Sequence, residues 1–292
     1  KQNAMGPLSF RVPLFDPDRL VRATLPLVRP LASPLGFVLW LALMVWAGAG
    51  ALAEWDALAR SLSDQIWTAG SVAIMAATYV VMKLLHEFGH AWVARRHGAP
   101  VTEFGVMFLV FMPVPYVDAS ASVALPSRWQ RAGVAFAGIA VETTLAAIAF
   151  LLWRDMEPGP ARAALYNVML IGGVSTLLVN GNPLLKFDGY YVMADLIESP
   201  NFGTRANNYY GHIIQRYLFG ARHLKEEVAT PGERAWFLAY APAAFVYRII
   251  IMLGIALYVS AHAFVLGVLI AAWSLFNALV KPAFKQLRHV LT

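Results

Sequence analysis

His86-Glu87-Phe88-Gly89-His90 sets two imidazoles four residues apart, with a carboxylate beside the first. On a helix, residues four apart share one face, one turn above the other. His86 and His90 can therefore hold one metal ion between them. Glu87 projects about 100° around the helix from His86, so it can reach a water at the metal without being a ligand. Such a set does hydrolysis. Zinc held by three protein groups keeps a fourth position for water and lowers the pKa of that water to about 7. The carboxylate then takes the proton as the water attacks a carbonyl. The bland alternative is a pair of helix-face histidines meeting a polar neighbour. Against it, ionisable groups in apolar segments are costly and mark function by default. Here three of them lie within five residues at the end of an apolar helix.

A third ligand is required. The candidate is Asp188, in the stretch that runs from Asn180 through Asn182, Pro183 and Lys186 to Gly189. An apolar segment ends there, and Pro183 must break or kink its helix. Broken helix at membrane depth is tolerated only where it is buried in protein or lines a cavity. Gly189 lets the backbone turn just after the carboxylate. Asp188 has a second use, as the cap of a helix over Tyr190 to Ile197. With the histidine pair present, the ligand reading takes precedence. Asn180 and Asn182 are candidates for supporting the site or binding substrate. Lys83 shares the helix face of His86, Glu87 and His90. It reads either as a charge partner for Glu142 or Asp188, or as a lysine snorkelling to headgroups. Tyr116 and Asp118 follow a proline-rich segment and are candidates for lining a substrate entrance. A turn-forming aspartate explains Asp118 equally well.

The elements that carry these residues follow from composition. The chain has 292 residues, no cysteine, 59% hydrophobic and 14% charged residues, and a formal net charge of +6. Soluble domains are about 45–50% apolar and about 25% charged. Disorder is excluded, as is any cysteine-ligated metal. Six stretches are long and apolar enough to span a bilayer, at roughly 20 residues each. They run over residues 34–53, 66–85, 129–153, 161–179, 236–258 and 261–280. Between the second and third lies a short apolar stretch rich in Val and Phe, 101–115, which reads as a strand or hairpin at the membrane rim. The expected fold is an all-α polytopic membrane protein of about six transmembrane helices, with this short β or irregular segment after the His86 helix.

Most of the Lys and Arg residues fall on one side of that map, among them Arg95, Arg96, Arg128 and Arg131 and the basic residues of both ends. The positive-inside rule then places both termini in the cytoplasm. No compact basic face is left for nucleic acid. Residues 11–29, basic and apolar in alternation, read as a segment lying on the membrane surface or as a linker. Asn207 to Val228 reads as an amphipathic helix pair. The expected organisation is an N-terminal interfacial segment, 1–33; a core with four spans, 34–200; an amphipathic helical segment, 201–235; and two further spans with a basic tail, 236–292. The chain opens on Lys, which reads as a piece of a longer protein.

The paired histidines at the end of an apolar helix, followed about a hundred residues later by Asn180, Pro183 and Asp188-Gly189, resemble the site-2 protease family of membrane-embedded zinc metallopeptidases. The nearer resemblance is to its bacterial peptide zinc metalloprotease branch, through the stretches 104–120, 126–138 and 182–191. It covers about Ile66 to Ser199 well and the flanking spans more loosely. The resemblance implies one Zn2+ per chain held by His86, His90 and Asp188, with Glu87 as general base. It implies cleavage of a peptide bond, in a small peptide or a transmembrane-helix substrate, near the cytoplasmic face of a bacterial inner membrane. It also allows a periplasmic adaptor region in the same longer chain or a partner, and a role in peptide export or maturation with a structural or peptide-binding metal core. One departure stands out. The family carries a Gly-Pro-x-x-Asn element in the third span, and here Ile139 and Glu142 occupy its proline and asparagine positions. An asparagine amide can donate to a developing oxyanion. Glu142 is instead a neutral donor, a partner for a histidine N–H, or a partner for Lys83.

Overall fold

The computed structural model of the chain describes residues 9–63, 69–109, 112–217, 229–262, 268, 272–273 and 275–277. Among these, five helices are long and apolar enough to cross a membrane: Pro34–Ala53, Ser71–Arg96, Arg128–Trp153, Pro160–Asn180 and Pro231–Ala261. They overlap the first five expected spans; the second runs on to Arg96, past its expected end at 85, so that His86 and His90 lie within it. Most of the sixth lies outside the described residues, as does the whole of 218–228 in the expected 207–228 pair. The chain divides into two compact units, Lys1–Leu196 and Ile197–Thr292.

The first unit opens with a strand, β1 (Ser9–Phe15), and a helix, α1 (Asp18–Val28). Two long helices follow, α2 (Pro34–Ala53) and, after the short α3 (Trp55–Ser63), α4 (Ala69–Arg96). Helix α2 starts cleanly because the Ser33 hydroxyl accepts from Gly36 N at 3.1 Å and Pro34 is pre-set for the first helical position. After α4 come β2 (Phe104–Leu109) and β3 (Met112–Val117), the expected hairpin. A 3₁₀ turn (Ser120–Ala124) leads into α5 (Arg128–Trp153). Helix α6 (Pro160–Met169) runs directly into a π-helical segment (Leu170–Asn180), and α7 (Asp188–Leu196) closes the unit.

Helix α5 is the central post. It packs against α2, α4, α6, the π segment and α7. Its small residues, among them Ala132, Ala137, Gly138, Ala146, Ala147 and Ala149, are buried. Small side chains let neighbouring backbones approach closely, which is how helices associate where lipid gives them no apolar incentive. One apolar cluster joins Val21 of α1, Ala91 and Ala94 of α4, and Val134 of α5. A second joins Ala47 of α2 to Ala147, Phe150 and Trp153 of α5 and Tyr166 of α6.

The strand β1 was not expected. Residues 11–29 are neither a linker nor only a surface helix, because residues 9–15 pair antiparallel with β2. The three strands lie in the order β1-β2-β3. Proline, which cannot donate to a ladder, is confined to edge strands. Pro13 lies in β1 and Pro113 and Pro115 in β3, while the central β2 has none. Alternate residues of a strand point their N–H groups the same way. The prolines of β3 therefore occupy the outward-pointing positions, and Val117 is the next in that series. Helix α1 is fastened to the end of α4 by Trp92 Nε1, which donates to Thr24 Oγ1 at 2.8 Å, and by Arg95, 3.3 Å from Asp18.

In the second unit, α8 (Phe202–Tyr217) packs on α9 (Pro231–His262). Phe202 lies 5.4 Å from the Phe237 ring and 4.8 Å from that of Tyr240. A reciprocal cap starts α9. Thr230 N donates to Glu233 Oε2 at 3.0 Å, and Glu233 N donates to Thr230 Oγ1 at 3.3 Å.

Candidate metal centre

His86 and His90 lie in the last third of α4, on the face turned to α5. His90 Nδ1 is 2.7 Å from the Val134 carbonyl oxygen. A carbonyl only accepts, so Nδ1 carries the proton and Nε2 of the neutral ring is a bare acceptor. That Nε2 lies 3.1 Å from His86 Nε2 and 3.5 Å from Asp188 Oδ2. His86 Nε2 is 2.9 Å from the same carboxylate oxygen. Three ligand atoms thus converge from residues 86, 90 and 188. A proton can bridge one pair of them, whereas a cation satisfies all three. Ligands about 2.0–2.1 Å from a tetrahedral zinc stand roughly 3.3 Å from one another, and the three observed separations bracket that value. The residues fit the metal.

Asp188 arrives by a long route. The π segment ends at Asn180, and Gly181 N donates to Thr176 O at 2.6 Å. Pro183 sits in the turn that follows. There Asn182 Oδ1 accepts from Leu184 N at 2.9 Å, so Asn182 shapes the turn. Asp188 opens α7, as a capping residue would, yet its side chain is turned to the histidines. Burial pushes its carboxyl up, but the His86 and His90 rings beside it outweigh that and hold it below the usual carboxylate range. Gly189 departs from expectation. It is helical, and the positive-φ glycine among the described residues is Gly98. Its role is close approach, since a Cβ there would stand 2.9 Å from Asn182 N. Arg131 of α5 fastens α7 in place, with Nε 3.0 Å from Asp195 Oδ1.

Glu87 turns to the sheet. Its Oε2 accepts from Val117 N at 3.0 Å. That donor is the outward N–H at the end of β3, so the edge strand holds the carboxylate beside the metal ligands. Tyr116 and Asp118, on either side, serve the sheet itself. The Tyr116 hydroxyl donates to Glu103, and burial and that carboxylate push its phenol up to about 12. Asp118 Oδ1 accepts from Ser120 N at 3.0 Å, which forms the expected turn, and the Ser120 hydroxyl together with that N–H holds its carboxyl below the ordinary value.

Glu142 is fully buried in α5. Its Oε1 lies 2.7 Å from Lys83 Nζ and 3.4 Å from His86 Nδ1. Its Oε2 accepts from the Thr176 hydroxyl and lies 3.4 Å from Asn180 Nδ2. Of the three uses open to Glu142 from sequence, the geometry brings two together, the partner of Lys83 and the neighbour of His86. The π segment makes this contact. Thr176 also donates to Ile171 O, five residues back, at 2.9 Å, the spacing of π-helical bonds. Gly172 lets the segment close on α5, since a Cβ there would meet Glu142 O at 2.5 Å.

Sequence reasoning missed four parts of this site. Val117 N and Val134 O are main-chain atoms, which residue type does not announce. Thr176 reads as one more residue of an apolar span. Gly138 is the fourth. A Cβ there would stand 2.5 Å from His86 Cε1 and 2.7 Å from His90 Nε2. Its signal was a glycine two turns into a packed span, facing a histidine pair.

The model of peptidase family M50 matches residues 73–289, most of the chain, beginning within the first turn or two of α4. Neither the curated proteins nor the solved structures give a match. With the paired histidines, the carboxylate that joins them and, among the described residues, five helices apolar enough to cross a membrane, the chain belongs to peptidase family M50, the site-2 protease family of membrane-embedded metallopeptidases.

Proposed function

We propose that this chain is a zinc-dependent intramembrane endopeptidase acting on a membrane-associated or small peptide near the cytoplasmic face of a bacterial inner membrane. The observation that carries this reading is the convergence of His86 Nε2, His90 Nε2 and Asp188 Oδ2 within 2.9–3.5 Å of one another. Zinc bound there supplies Lewis acidity toward a water and a scissile carbonyl. His86, His90 and Asp188 hold the ion. The Val134 carbonyl fixes the His90 ring by its Nδ1–H. Glu87 takes the proton of the attacking water and returns it to the leaving nitrogen, as a general base and then acid. The Val117 N–H keeps the Glu87 carboxylate aimed while it is ionised. Apolar walls from α4 and α5 slow the entry of bulk water, which strengthens every charge interaction inside. The one-sided distribution of Lys and Arg supports cytoplasmic termini, and with them a site at the cytoplasmic end of α4.

The test is elemental analysis together with peptide cleavage. Purified chain carries about one zinc, and Glu87→Gln keeps that zinc while cleavage falls by at least about 100-fold, the low end of what a general base contributes. A chain that binds no divalent metal, or a Glu87→Gln variant that cleaves at the native rate, overturns the reading.

A further inference from the structure

Glu142 stands where it can do more than pair with Lys83. His86 Nδ1 is buried and makes no hydrogen bond in the structure. The acceptor facing it is Glu142 Oε1 at 3.4 Å, too far for a formed bond and within a small side-chain adjustment of one. Once Nε2 binds a metal, Nδ1 must carry the ring's proton. A histidine ligand is commonly held through that N–H by a carboxylate or carbonyl, which fixes its tautomer and raises its basicity. His90 has such a partner in Val134 O. Among the described residues, the acceptor that faces His86 in that position is Glu142.

We infer that Glu142 is a positioning residue for the metal centre, orienting His86 through Nδ1–H, and that Lys83 is present to make a buried carboxylate tolerable at that spot. This rests on the zinc-peptidase reading and deepens it. The supporting geometry is complete around Glu142. One oxygen faces Lys83 and His86, and the other accepts from Thr176 and has Asn180 Nδ2 within 3.4 Å. A buried ion pair is retained only where further hydrogen bonds satisfy its remaining lone pairs, and here they come from the π segment. The formal charges agree. The metal and Lys83 balance the carboxylates of Glu87, Glu142 and Asp188, so the loaded site is neutral in a low-dielectric setting. Replacing the carboxylate by a neutral amide would leave Lys83 unpaired, which explains why the two charges occur as a pair.

Two double variants of the full chain in detergent isolate the acceptor from the charge. Lys83→Met with Glu142→Gln removes both charges and keeps an oxygen toward His86 Nδ1. Lys83→Met with Glu142→Leu removes both charges and the acceptor. In both, the Thr176 hydroxyl keeps the Ile171 carbonyl. Zinc affinity is read by competition with a chromophoric chelator, and ligand geometry by the visible spectrum of the cobalt(II) form. The glutamine variant binds zinc within about 3-fold of the native chain. The leucine variant binds about 10–100-fold more weakly, the usual loss when such a partner is removed, with a shifted cobalt spectrum. Equal affinities and spectra in the two variants overturn the inference while leaving the peptidase reading intact. A native chain that binds no zinc overturns both. Should the leucine variant fail to fold, histidine-labelled NMR of the zinc-loaded native and glutamine forms decides. The His86 Nδ1–H resonance moves when its acceptor changes from carboxylate to amide, while that of His90 stays. A His86 resonance that does not move contradicts the inference.

Discussion

At the scale of single residues, the metal centre is set by steric room as much as by ligands. Gly138 gives the two imidazoles the volume in which they meet. Gly138→Ala puts a methyl within 2.5–2.7 Å of both rings, below any normal contact. The rings must rotate away or α4 must shift. Zinc affinity should fall at least about 10-fold, and overpacking should lower stability by about 1–3 kcal/mol, read as chelator competition and thermal unfolding of the same preparation. Native zinc affinity in a folded Gly138→Ala chain would show that the rings have slack the structure does not contain. The ligand pair was legible because its spacing is local: four residues on one helix. Asp188 was legible as a candidate only because the pair demanded a partner, since by itself it reads as a helix cap. The pairing of Lys83 with Glu142 was legible as one of several alternatives, but the part of Thr176 was not, because it joins them from an element 34 and 93 residues further along the chain.

At the scale of elements, the small sheet aims the proton-transfer group. The outward positions of β3 are Pro113, Pro115 and Val117, and only the last has an N–H to give. It goes to Glu87. Val117→Pro continues the pattern already present in the strand and deletes that single donor. A hydrogen bond to a charged group is worth about 1.5–3 kcal/mol. Peptide turnover should therefore fall roughly 10–100-fold with zinc content unchanged. Unchanged turnover would mean that Glu87 is aimed by something else. The hairpin was legible from its Val and Phe content and its bounding prolines. Its third strand was not. The pairing of β1 with β2 spans about a hundred residues, and Pro13 argues against a strand unless the strand is known to be an edge. The π segment was equally hidden, since its apolar composition suits an ordinary helix.

At the scale of the whole molecule, the five described spans fell where apolar length placed them, because lipid forces every backbone polar group to be satisfied within its own helix. Orientation is a matter of charge and remains to be measured. The chain has no cysteine, so each introduced cysteine is a unique reporter. Asp155, whose side chain is 78% exposed, follows α5. Asn201 follows α7. In intact cells a membrane-impermeant maleimide should label Asp155→Cys and should label Asn201→Cys only after permeabilisation. The reverse pattern would invert the orientation we propose and move the metal centre to the other face. The claim beneath all of this is that residues from α4 and from the start of α7 close around one cation. A crystal of the zinc-loaded chain measured on both sides of the zinc absorption edge tests it most directly. One anomalous peak is expected within bonding distance of His86 Nε2, His90 Nε2 and an Asp188 carboxylate oxygen. A map with no peak there, or with the zinc held by His86 and His90 while Asp188 points away, would contradict it.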